Sequence, residues 1–100
     1  MPTAYITAPP EAAADLAETL VDERLAACVN RFPCHSTYRW EGEVLSEDEV
    51  VLLAKTTEDR FADLVRRVEL LHPYDVPCIE RFDETDVHDP FGEWITESVE

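Results

Sequence analysis

Two apolar runs that fold back on each other at Glu41-Gly42 constrain this chain more than any other feature of it. Residues 26–56 read as one long β-hairpin. The outgoing arm carries Cys28, Val29, Phe32, Tyr38 and Trp40, and the returning arm carries Val44, Leu45 and the unbroken apolar run 50–54 before Lys55. A strand advances about 3.3 Å per residue, so a straight arm of this length reaches on the order of 45 Å. A compact domain of this size has a radius of gyration of about 13 Å. The hairpin therefore overhangs its own domain, unless Pro33 and the polar cluster 46–49 bend it. An overhanging ribbon exposes backbone edges that seek a partner strand, and the simplest partner is another copy of the chain.

The elements around the hairpin follow from spacing. Residues 3–7 form a short strand that Ala8-Pro9-Pro10 ends. Proline suits a first helical turn, and Ala13, Leu16, Ala17, Leu20 and Val21 recur at helical spacing, which predicts an amphipathic helix over 10–24. Residues 25–29 are apolar without alternation, as in a strand buried on both faces. The run 50–54 reads the same way, and a partner subunit is the expected cover for the second face. Thr57 is placed to cap a second helix with Glu58 and Asp59 in its first turn. Its stripe is Phe61, Leu64, Val65, Val68 and Leu71; His72 ends it and Pro73 stops it. Residues 76–82 are the next strand, with Pro77 pointing to an edge position. After a polar connection, Asp89-Pro90 opens a last helix with Phe91, Trp94 and Ile95 facing inward. The order is β-α-β-β-α-β plus a C-terminal helix: an α+β, ferredoxin-like split βαβ with a long β-hairpin.

Composition excludes several functions. One hundred residues make one domain, 1–100,. The net charge of −15 argues against nucleic acid and against anionic membranes,. No apolar run is long enough to span a bilayer. The N-terminus has neither the basic region nor the apolar stretch of a secretory signal, and the three cysteines Cys28, Cys34 and Cys78 are an odd count without paired spacing. Both observations predict reduced thiols and a cytoplasmic location. The acidity itself suits a high-salt, halophilic cytoplasm, where the Debye length is about 3 Å at 1 M salt.

Signatures of catalysis are missing. The only glycines are Gly42 and Gly92, so no phosphate-cradling loop exists, and there is no CxxC, HExxH or GxSxG,. The chain reads as no enzyme. Lys55 is the only lysine beside seven arginines; it serves either a structural ion pair or an anionic ligand. His72 is either a helix-terminal cap or a metal ligand, since imidazole suits copper and zinc. Adjacent Cys34 and His35 are soft donors, but two are too few for a closed site. Cys28 reads as core, and Cys78 as core thiol or ligand. Tyr38, Trp40, Tyr74 and Trp94 form a pocket if they converge near Lys55 and His72.

Six blocks, taken together, resemble a known family. They are Thr7-Ala8-Pro9, Glu23-Arg24-Leu25-Ala26-Ala27-Cys28-Val29-Asn30, Tyr38-Arg39-Trp40-Glu41-Gly42, Lys55-Thr56, His72-Pro73-Tyr74-Asp75-Val76-Pro77 and Trp94. In this order, over nearly the whole chain, they resemble the CutA divalent-cation-tolerance proteins. The resemblance implies a ferredoxin-like protomer in a tight homotrimer, with the hairpin extending into the neighbour's sheet. It also implies a role in tolerance of divalent metals, copper in particular, without an enzymatic reaction. The family's copper ligands are a cysteine at the end of the first strand and two histidines before Pro-Tyr. Here those positions are Ile6 and Leu71-His72, so only His72 carries over, and Cys78 is the candidate substitute beside it. The expectation is a CutA-like protein with weak copper or other divalent-cation binding at His72 and Cys78. The alternatives are a PII-type trimeric sensor that binds a small anionic ligand at subunit clefts through Lys55, or a structural partner of another protein.

Overall fold

The computed structural model describes residues 1–100. Its elements are β1 (Pro2–Ala8), α1 (Pro10–Asp22), β2 (Cys28–Trp40), β3 (Glu43–Lys55), α2 (Glu58–Leu71), β4 (Ile79–Asp83) and α3 (Asp89–Ser98). The strands form one antiparallel sheet in the order β2-β3-β1-β4. This is the split βαβ arrangement that the element order predicts.

Alternation along β1 decides which face the helices cover. Ala4, Ile6 and Ala8 are fully buried and pair with Ala54, Leu52 and Val50 on β3. Side chains two apart share a face, so these residues meet Leu16, Leu20, Leu64 and Val68 from α1 and α2 in one core. A smaller cluster joins Ala27 to Ile95 and Val99 at the C-terminal end, with Met1 against it.

The hairpin ladder is continuous from Cys28↔Lys55 to Trp40↔Glu43, with Pro33 opposite Val50. Neither Pro33 nor residues 46–49 break its register. β2 is an edge strand, where a residue without an N–H is tolerated. The turn places Glu41 at φ 49° and Gly42 at φ 82°, the left-handed pair that a two-residue hairpin needs. The molecule measures 45 × 25 × 20 Å with a radius of gyration of 14.0 Å, so the hairpin does set its long axis.

Several boundaries differ from the sequence expectation. α1 ends at Asp22, two residues before the predicted end. Arg24 turns left-handed at φ 60°, and the N–H groups of Arg24 and Leu25 donate to Val21 and Leu20, which closes the helix in a Schellman pattern. Residues 25–27 are buried but precede the strand; Leu25 and Ala26 donate to Leu20, Ala27 donates to the Lys55 carbonyl, and the Thr56 hydroxyl donates to Leu25. That apolar run is a connector sunk into the core, not a strand covered on both faces. Thr57 flanks α2, but its side chain makes no cap bond. Only Leu64 and Val68 of the α2 stripe are buried, and Leu71 is exposed. β4 begins at Ile79, after Pro77. On α3 only Ile95 is buried; Phe91 and Trp94 lie half-exposed and stack at 5.7 Å. No helix is long and apolar enough to cross a membrane.

Candidate functional site

The sheet face turned away from α1 and α2 holds the site. Odd positions of β1 lie there, because the even ones fill the core. Tyr5 and Thr7 therefore share that face with Leu45, Glu47 and Glu49 of β3. The hairpin register sets Ser36 against Glu47 and Tyr38 against Leu45, so β2 adds Ser36, Tyr38 and Trp40. The loop 73–78 closes over this surface. The result is a cleft of about 670 Å³ whose far wall carries Tyr74, Asp75 and Cys78.

His72 fixes that loop. It is 7% exposed, at the end of α2. Its Nε2–H donates to the Thr7 carbonyl at 2.7 Å, and its Nδ1 accepts the Tyr74 N–H at 3.1 Å. The first partner only accepts and the second only donates, which sets the tautomer. The Tyr74 ring stands 4.8 Å from the imidazole. His72 thus pins Tyr74 in the cleft wall but does not line the cleft itself.

The cleft is acidic. Glu49 is 6% exposed and forms no ion pair. Burial, and then the charges of Glu49 and Glu47, push the Tyr74 phenol up to about 12. A hydrogen bond with Glu47 is the main cause that raises Tyr38, and burial is the main cause that raises Tyr5. All three hydroxyls keep their protons and can donate. Burial also pushes the Cys78 thiol up, away from the thiolate that binds metals. Its Sγ lies 3.8 Å from Glu80 Oε1.

The structure divides the residues singled out in the sequence. Tyr38, Trp40, Tyr74 and Cys78 come together in the cleft. Lys55 does not join them. It pairs with Thr3, at the opposite end of β1 from Thr7, and its Nζ donates to Asn30 Oδ1 at 2.8 Å. It lines a separate cavity of about 240 Å³ with Glu84, His88 and Phe91. Trp94 lines neither cavity. Cys34 and His35 are neighbours on a strand, so they point to opposite faces; His35 Nδ1 pairs with Asp48 at 2.5 Å.

The donor set does not fit a resident copper ion within one chain. Both nitrogens of His72 hold backbone groups, and no three His, Cys, Asp or Glu side chains are grouped as metal ligands. The sequence reading missed Tyr5, Glu47, Glu49 and Glu80. Three of these were accessible: with the turn at Glu41-Gly42 as origin, the ladder places Glu47 and Glu49 beside Ser36 and Cys34, and alternation along β1 adds Tyr5.

Comparison with known proteins now bears on the fold and this site. The family model described as CutA1 divalent ion tolerance protein matches residues 3–98. The chain belongs to the CutA1 family. The divalent-cation tolerance protein CutA of Thermus thermophilus is 45% identical, over 94% of this chain and 93% of its own length. The Archaeoglobus fulgidus CutA structure, described as a periplasmic divalent cation tolerance protein, superposes with a TM-score of 0.95 at 38% identity and covers 100% of both chains. The Nostoc structure described as PII-like protein CutA superposes at 0.96 with 33% identity, covering 100% of this chain and 98% of its own. The CutA1 resemblance read from the sequence blocks is thereby established, and the PII-like description of one neighbour accompanies it.

Proposed function

We propose that this CutA1-family chain is a non-catalytic ligand-binding protein, and that it contributes to divalent-cation tolerance through small-molecule binding in the aromatic cleft. The observation that carries this reading is the convergence of Tyr38, Trp40 and Tyr74 around one cleft, while His72 spends both ring nitrogens on holding the cleft wall. The sensor class is supported by the Nostoc neighbour's PII-like description. Copper binding at His72 and Cys78 would require His72 to release Thr7 or Tyr74, so it is expected to be weak. Trp94→Phe leaves Trp40 as the sole tryptophan reporter in the cleft. In that background, small molecules should change the fluorescence, and Cu(I) or Zn(II) should bind weakly and without a fixed stoichiometry. Tight metal binding that is lost in both His72→Ala and Cys78→Ser would replace this reading with direct metal chemistry.

A homotrimer is part of the same proposal. β2 offers an unpaired outer edge of 13 residues. Phe32 and Phe82 are 46% and 49% exposed on the face without helices. Such edges and rings are normally covered. Light scattering should give about three times the chain mass of 11.4 kDa; a monomer mass would exclude the trimer. A cytoplasmic location agrees with the three free cysteines,. Cell fractionation tests it against the periplasmic placement described for the Archaeoglobus relative.

A further inference from the structure

We draw no further inference here: the strongest candidate, the apolar surface patch on α3 where Phe91 and Trp94 stack half-exposed, carries none, because nothing in the structure shows what covers it.

Discussion

Tyr74 shows how one side chain joins fold and site. His72 holds its backbone N–H, and Glu49 lies against its hydroxyl. Its phenol is raised from the ordinary 10.0 to about 12 by burial and then by Glu49 and Glu47. The folded protein therefore keeps a proton that the unfolded chain releases. Stability owed to this residue is complete below pH 10.0 and is lost as pH rises toward about 12,. Urea midpoints measured across that interval should fall with pH, and Tyr74→Phe should reduce the slope. An unchanged slope would mean that the phenol does not sit among these charges. Cys78 is raised by burial in the same cleft, which gives two neighbouring groups that favour their neutral forms beside buried carboxylate.

At the scale of elements, the hairpin and the helix ends carry the local strain. Glu41 stands left-handed at φ 49° in the turn, where a side chain with Cβ is disfavoured. Asn-Gly is the favoured pair for this turn. Glu41→Asn should therefore stabilise the protein by on the order of 0.5–1 kcal/mol, read as a higher denaturant midpoint with an unchanged slope. Helix identities were legible because the period of 3.6 is strong over Leu16 to Val21 and Phe61 to Val68, and the strand at Val50 to Ala54 because a short unbroken apolar run reads as a buried strand,. Three features were not. The early end of α1 depends on a left-handed Arg24, and arginine carries no sign of that conformation. The connector 25–27 imitates a doubly buried strand, since burial alone does not distinguish them. Phe91 and Trp94 have helical spacing with Ile95, but only Ile95 reaches the small cluster with Ala27 and Val99. The site was half legible for a similar reason. Aromatic residues announce themselves by type, whereas Glu47 and Glu49 become distinctive among 23 acidic residues only when register puts them beside the rings.

Charge dominates behaviour at the scale of the whole molecule. A net −15 on one hundred residues repels itself in the compact state, and added salt screens that repulsion. Five ion pairs, mostly exposed, offset little of it, because exposed pairs are worth about 0–1 kcal/mol each. The melting temperature should rise from about 0.1 M to several molar KCl, a range set by the screening lengths; a flat or falling profile would contradict salt adaptation. The sheet topology carries a separate, kinetic consequence. β2 and β3 close locally from Trp40↔Glu43 outward, whereas β4 joins β1 by pairing Asp83 with Pro2 from the far end of the chain. Distant pairings must first overcome the entropy of closing a long loop. The hairpin should form on the way up the folding barrier, and β4 should dock on the way down. In stopped-flow experiments, Leu52→Ala should slow folding, while Ile79→Val should leave folding nearly unchanged and speed unfolding. The strand that completes the sheet would then act as its latch, setting how long each folded molecule lasts.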